Sequence, residues 1–301
     1  MDFDFNELKT IKEIISNSNN GSVHLSFRLC KNNFEEILEE IKKKKNLKII
    51  DLSNNNLNPE CSKLISDYLI NHDSLEKLFL NTNRIENEGS NFIFQSLNQN
   101  HSLKTLDLSK NQLSDSGLEN LQLLSNNTSL LKLELYHNEI TSDGIKFLSF
   151  ISSNKHLKEL DLSFNKIDNM GVRNLFKYLK YNKSLKKINL SGNNLNDFVL
   201  EKIKKTLKTN NSLTTINLNR KKFQNQILLN EIKDLLQCNL DWDVKIHKNF
   251  NENFKKSVFF FCTVLKYFEK RNKIKIPKFV VFEIIKQVDR KSFLFYKKKV
   301  N

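Results

Sequence analysis

Six times in succession, at intervals of 27 or 28 residues, this chain repeats one phrase: apolar, two variable positions, apolar, one variable, Leu, two variable, Asn, one variable, then Leu or Ile. The copies anchor on Leu52, Leu80, Leu108, Leu135, Leu162 and Leu190, with Asn55, Asn83, Asn111, Asn138, Asn165 and Asn193 three residues later. A unit this short cannot bury its apolar face alone, so it has to stack on its neighbours. The chain is therefore expected to be a solenoid. A weaker copy precedes the six (Phe27, Leu29, Asn32, Phe34), and another follows (Leu213, Ile216, Leu218), with Lys221 in place of Asn and Phe223 in the last slot. Anchoring the first copy on Leu29 gives one spacing of 23 before the regular ones.

Each position of the phrase has a physical reason. Ile50 and Leu52, like their equivalents, alternate with polar residues and so face one side of a strand, the core side. A second apolar set recurs at helical spacing: Leu118, Leu121, Leu124 in one copy, Ile145, Leu148, Ile151 in another, Val172, Leu175, Leu179 in a third. The Asn side chain can both donate and accept, so an Asn turned inward at the strand exit can serve backbone groups of neighbouring turns. Four of the 6 glycines (Gly89, Gly117, Gly144, Gly171) stand six residues after that Asn, where a helix begins against a packed turn.

The Asn-x-Leu/Ile step, the following Gly and the 27- to 28-residue period resemble the ribonuclease-inhibitor-like subclass of leucine-rich repeats, over roughly residues 23–223. That resemblance implies a strand plus a full helix in every repeat. Strands are narrower than helices, so the expected architecture is an α/β horseshoe of about eight repeats, with a concave parallel sheet and convex helices. Residues 1–22 are expected to form an N-terminal helical cap, and residues 224–301 a basic helical C-terminal cap or subdomain.

On such a fold the functional surface is the concavity. The outward positions there should form two rows, Asp51/Ser53, Phe79/Asn81, Asp107/Ser109, Glu134/Tyr136, Asp161/Ser163, Asn189/Ser191 and Asn217/Asn219, with Glu159 and Phe164 beside them. Aromatic residues next to carboxylates suit a protein partner. The candidate partner-binding residues are accordingly Phe79, Asn81, Asp107, Glu134, Tyr136, Glu159, Asp161 and Phe164. The competing reading is that these aspartates only solvate a strand face.

No catalytic residue, metal ligand or cofactor is expected. The chain lacks a phosphate loop, a dinucleotide fingerprint, a nucleophile elbow and paired metal ligands. Its four cysteines (Cys30, Cys61, Cys238, Cys262) are scattered and read as reduced core thiols, and its six histidines (His24, His72, His101, His137, His156, His247) as surface or turn residues. The triplets Asn100-His101-Ser102 and Asn182-Lys183-Ser184 match a glycosylation acceptor but are read as unmodified. With an acidic start, no signal-like apolar core and no apolar run of membrane-spanning length, a cytoplasmic location is expected.

The net charge of +15 is concentrated after residue 220, where 19 Lys/Arg face 8 Asp/Glu. Lys270, Arg271, Lys273, Lys275, Lys278 and the Lys297–Lys299 run could contact an anionic lipid or nucleic-acid surface by charge alone. No recognisable nucleic-acid fold accompanies them, and a chain without alanine that prefers Lys to Arg carries the bias of an AT-rich coding sequence. Apolar periodicity (Ile227 to Leu236, Val258 to Phe268, Phe279 to Val288) predicts three helices there, capping the last repeat with help from Trp242 and Phe259 to Phe261. The stretch from Ile276 to Ile285 resembles the start of an F-box helix, and Cys262 to Pro277 a SOCS box. Either resemblance implies a substrate-recognition adaptor of a ubiquitin ligase. Ran GTPase-activating proteins carry the same kind of repeat, which gives a further alternative, activation of a small GTPase. That family is acidic after its repeats, however, where this chain is basic.

Overall fold

The computed structural model describes residues 5–18, 21–26, 33–44, 46–219 and 223–248. Eight three-residue strands make one parallel sheet whose order is the order of the chain: β1 (Ser22–His24), β2 (Ile49–Asp51), β3 (Lys77–Phe79), β4 (Thr105–Asp107), β5 (Lys132–Glu134), β6 (Glu159–Asp161), β7 (Lys187–Asn189) and β8 (Thr215–Asn217). Every connection returns beside the strand it left, which is what stacking of like units requires. The central residue of each strand is buried and pairs with the centre of the next, as in Ile50 with Leu78 and Leu133 with Leu160.

This register corrects the reading of the first repeat. Val23 pairs with Ile50, and the fully buried Leu25 takes the place of Leu52. The anchor is Leu25 rather than Leu29, and the irregular first spacing disappears. Residues 27–32, which carry the apolar alternation that suggested Leu29, lie outside the described residues.

The strands are backed by α1 (Phe5–Asn17), α2 (Phe34–Lys42), α3 (Pro59–Ile70), α4 (Glu86–Ser96), α5 (Asn169–Leu179), α6 (Leu200–Leu207) and α7 (Gln226–Lys248). Two repeats depart from the expected full α-helix and use 3-10 helix instead, over Asp115–Ser125 and Gly144–Ser152. The cause is visible in their spacing. Leu118, Leu121, Leu124 and Ile145, Leu148, Ile151 recur every third residue, the period of a 3-10 helix, whereas Val172, Leu175, Leu179 drift toward the α period. Between sheet and helices runs one continuous core, in which Phe34, Phe94 and Phe176 are the largest fully buried side chains.

The asparagine at each strand exit acts as expected. Asn138 Nδ2 donates to the Leu108 and Leu135 carbonyls, both at 3.1 Å, while its Oδ1 accepts from the Asn111 and Leu113 amides at 2.9 and 3.1 Å. One side chain thus ties two repeats together. A second ladder runs along the opposite edge, before the strands: Asn100, Asn127, Asn154, Asn182, Asn210 and Asn239. Asn182, for example, donates to the Ile151 and Asn154 carbonyls at 2.6 and 3.1 Å and accepts from the Ser184 and Leu185 amides at 2.9 and 2.7 Å. The acceptor triplets at Asn100 and Asn182 are therefore ladder rungs, with both amides buried.

Where this second ladder would begin, His72 replaces the asparagine. Its ring stacks on Tyr68 with centroids 4.6 Å apart, and neither ring nitrogen makes a well-formed hydrogen bond. Burial holds its imidazole below the ordinary value, against the pull of the Lys44 backbone and Asp73. His72 thus stands half-buried in the segment after α3, with its ring nitrogens covered.

At Gly117 the requirement is for space, since an added Cβ would lie 2.7 Å from Asn87 Oδ1 and 2.9 Å from Ser90 Oγ in the preceding repeat. Among the described residues α7 comes last, with Leu229, Ile232 and Leu236 buried and Asn239 donating to the Asn210 and Leu213 carbonyls at 3.1 and 2.6 Å. The helix therefore supplies one more rung beyond the last strand. The segments expected to be helical after it, with the stretch from Cys262 to Ile285 that resembles adaptor boxes, lie outside the described residues, as does the Trp242 side chain. Among the described residues no helix is long and apolar enough to cross a membrane.

Candidate functional site

The residues flanking each buried strand centre stand on the face of the sheet turned away from the helices. Register sorts them into two rows across the strands. One is Asp51, Phe79, Asp107, Glu134, Asp161 and Asn189, as the sequence pattern implied. The other is Ile49, Lys77, Thr105, Lys132, Glu159 and Lys187, of which only Glu159 was singled out from the sequence. The same two-residue alternation that located the first row locates the second. The rows meet through the ion pair of Lys132 Nζ with Glu134 at 2.8 Å, while Lys187 Nζ pairs with Glu159 at 2.7 Å within the second row.

The aspartates of the first row have a structural duty. Ser53 N–H and Oγ donate to Asp51 Oδ1 at 3.0 and 2.6 Å, and Ser163 N–H and Oγ donate to Asp161 Oδ1 at 2.8 and 2.5 Å. Each aspartate thus closes a local turn at the strand exit with one oxygen. Asn189 performs the same task in its repeat, accepting from Ser191 N–H at 3.2 Å. Ser53, Ser109 and Ser163, expected to face outward, are buried by this arrangement, while Asn81 and Tyr136 in the same row stay partly exposed.

Asp107 stands apart. It accepts from Ser109 N–H at 2.9 Å, but it is only 7% exposed, and the two carboxylates that follow it in the row are Glu134 and Asp161. Burial pushes its carboxyl above the ordinary value and Glu134 adds to the effect, while the Ser109 amide and Lys132 oppose it. The Asp51 carboxyl lies lower than usual, because the hydrogen bonds from Ser53 and the neighbouring His24 outweigh its burial. Tyr136 feels the same group of carboxylates, and its phenol is raised by burial and then by Asp107, Glu134 and Asp161. Three adjacent carboxylates beside a tyrosine make a field that favours a cation. Among the described residues, no group of three or more His, Cys, Asp or Glu is placed to hold a metal ion.

Phe164 does not stand on a strand. It occupies the turn beyond β6, and its equivalents Asn54, Thr82, Lys110 and His137 share its left-handed backbone, with φ between 52° and 59°. Its ring is 59% exposed and stacks on His137 with centroids 6.4 Å apart. In the next repeat this position is Gly192, φ 73°, where an added Cβ would come within 2.7 Å of the Phe164 ring. Glycine here meets both the conformation and the close approach. Lys110, His137, Glu139, Phe164 and Lys166 line an open pocket of about 580 Å³ at this edge of the sheet, with Lys166 and Glu139 paired at 2.9 Å. The pocket was not foreseen, although the shared turn position, two residues past each anchor Leu, could have revealed its lining.

Leucine-rich-repeat family models match residues 99–121, 126–149, 153–176 and 181–197, and a second such model, "Leucine Rich Repeat", matches residues 46–69. No curated protein matches the chain as a relative. Among solved structures, one described as "Leiomodin-1 Actin-Binding Site 2 (ABS2)" is 18% identical, with a TM-score of 0.46, over 50% of this chain and 88% of that one. Another, the tropomodulin C-terminal domain of Caenorhabditis elegans, is 15% identical, with a TM-score of 0.45, over 50% of this chain and 92% of that one. The unit that recurs in the sequence, the unit that stacks in the fold and the unit the family models match are the same, and the chain folds as a leucine-rich-repeat solenoid.

Proposed function

We propose that this chain is a non-catalytic protein-binding scaffold, and that the concave sheet face holds a cationic segment of its partner. The observation that carries the reading is the run of carboxylates Asp107, Glu134 and Asp161 on adjacent strands, with Asp107 kept at low exposure and Tyr136 beside it. A Lys or Arg side chain entering this row would meet charge that the fold itself neutralises only in part, and Tyr136 and Phe79 would cover its aliphatic stem. Phe164, at the rim, would supply an apolar contact to residues that follow. The 27- to 28-residue period is the reason for assigning the repeats to the ribonuclease-inhibitor-like subclass. The wide scatter of the four cysteines along the sequence fits a cytoplasmic setting.

The test is affinity capture from source-cell lysate with the full chain and with a Tyr136→Ala, Phe164→Ala, Asp161→Lys variant. A partner held by the former and lost by the latter supports the reading. A partner retained equally by both removes the concave face from it.

A further inference from the structure

The outer, helix-side surface changes character along the array. At the start of successive helices the exposed residue is Glu60, Glu88, Ser116 and Asp143, and then, in the next two repeats, Met170 and Phe198. Met170 is 58% and Phe198 80% exposed. From each of these a stripe of cations continues along the same helical face. On α5 it is Arg173 and Lys177, followed by Lys180 and Tyr181, at spacings of three, seven, ten and eleven residues from Met170. On α6 it is Lys202 and Lys205, four and seven residues from Phe198.

Among the described residues, these cations make no ion pair with a carboxylate. Lys202, partly buried, sits in the combined field of Lys177, Lys180, Lys205 and Arg173. The described ion pairs lie elsewhere: Lys166 with Glu139, Lys187 with Glu159, and Lys204 with Glu231 on the flank toward α7, where Glu201 also acts. Lys177 donates to Asn174 at 2.8 Å, and the Lys180 ammonium lies 5.2 Å from the Tyr181 ring centroid. Like charges crowded together with no counter-charge cost free energy in the isolated protein, and an anionic surface relieves that cost.

We infer that the outer face of α5 and α6 docks on an anionic lipid surface, with Arg173, Lys177 and Lys202 at the headgroups and Met170 and Phe198 reaching the acyl boundary. Charge complementarity supplies the first half of the argument, and the exposed apolar tips bordering the cations supply the second, since a headgroup layer accepts both. The same exposed tips argue against nucleic acid, whose backbone would meet the cations but leave Met170 unrewarded. The chain's own end is a poor cover for this face, because residues 249–301 hold 14 Lys/Arg against 4 Asp/Glu and would be repelled.

The experiment is co-sedimentation of the full chain with phosphatidylcholine vesicles, with and without about one-third phosphatidylserine. The wild type should bind only the anionic vesicles. A Lys177→Gln, Lys202→Gln variant should lose on the order of 30-fold in partitioning, from roughly tenfold or less per lysine near the surface. A Met170→Ser, Phe198→Ser variant should lose about tenfold through lost apolar burial. Met170, Lys177 and Phe198 are exposed and Lys202 is partly so, so both variants should melt close to the wild type. Absence of wild-type binding overturns the proposal. So does wild-type-like binding by both variants, which would move the contact to residues 249–301. Loss in the lysine variant alone, with equal competition by single-stranded nucleic acid, would reassign the face to polyanions in general and overturn the lipid assignment.

Discussion

Replacing Asp107 by Asn should stabilise the protein at neutral pH. The amide keeps the acceptor that closes the strand-exit turn, as Asn189 shows by accepting from Ser191 N–H at 3.2 Å in the equivalent place. What is removed is a charge at 7% exposure, next to Glu134 on the adjacent strand. For unit like charges, a separation of roughly 6 Å and an effective dielectric of about 20 give a repulsion of roughly 2 to 3 kcal/mol. Lys132, bound to Glu134 at 2.8 Å, offsets part of this, which leaves an expected gain of about 1 kcal/mol. The sign of the pH dependence follows from the direction of the shift. A carboxyl raised in the folded state favours folding most below its unfolded value, and loses that contribution as pH rises through the folded one. The gain from Asn should therefore be present at pH 7 and vanish below about pH 3, where Asp107 is protonated in both states. Urea unfolding at the two pH values measures it. A variant less stable at pH 7, or equally altered at both, would show that Asp107 is held by interactions other than those described.

Four further outcomes are expected. Asn138→Ala removes four hydrogen bonds, three of them to the preceding repeat, and should cost about 3 to 4 kcal/mol in urea unfolding, near 1 kcal/mol for each, with a broader transition as coupling across that interface weakens. Gly192→Ala should cost at least about 1 kcal/mol, and Phe164→Ala in the same chain should recover the part due to the ring contact, as a double-mutant cycle of thermal stabilities would reveal. Because burial lowers the His72 imidazole, stability should fall as pH drops below about 6.5, the unfolded value, and His72→Asn should flatten the melting temperature between pH 7 and 5. Asp161→Asn, which keeps the turn acceptor as Asn189 does in its repeat, should weaken capture of a partner on the concave face while leaving the fold intact, with circular dichroism as the control.

Most of the fold is legible because one constraint is printed six times. Alternation around Leu52 and its equivalents fixes which side of each strand is buried, and the asparagine three residues on marks where the strand stops. The first repeat was harder to place, since Val23 and Leu25 lack that asparagine three residues after the anchor, and a nearby apolar phrase competed with them. The difference between 3-10 and α-helix was written in the spacing of Leu118, Leu121 and Leu124, but it takes attention to one residue in a turn. The sheet face was half legible. Asp107, Glu134 and Asp161 could be assigned to a row from periodicity, but the burial of Asp107 and the diversion of each aspartate into a turn depend on packing across strands. The second asparagine ladder stayed hidden because Asn is abundant throughout the chain. The pocket at Phe164 stayed hidden because a left-handed backbone leaves no mark on residues as different as Thr82, Lys110 and His137.

That turn has a consequence for how such a surface can change. A non-glycine residue in left-handed conformation costs roughly 1 to 2 kcal/mol, less for Asn and more for a β-branched residue, and here the flanking ladder hydrogen bonds hold the backbone in place. Substitution at Asn54, Thr82, Lys110, His137 or Phe164 therefore alters the chemistry on display without disturbing the path of the chain. The turns behave as a row of type in a fixed frame, each letter replaceable on its own, and the edge they form can acquire a new specificity while the core behind it keeps its sequence.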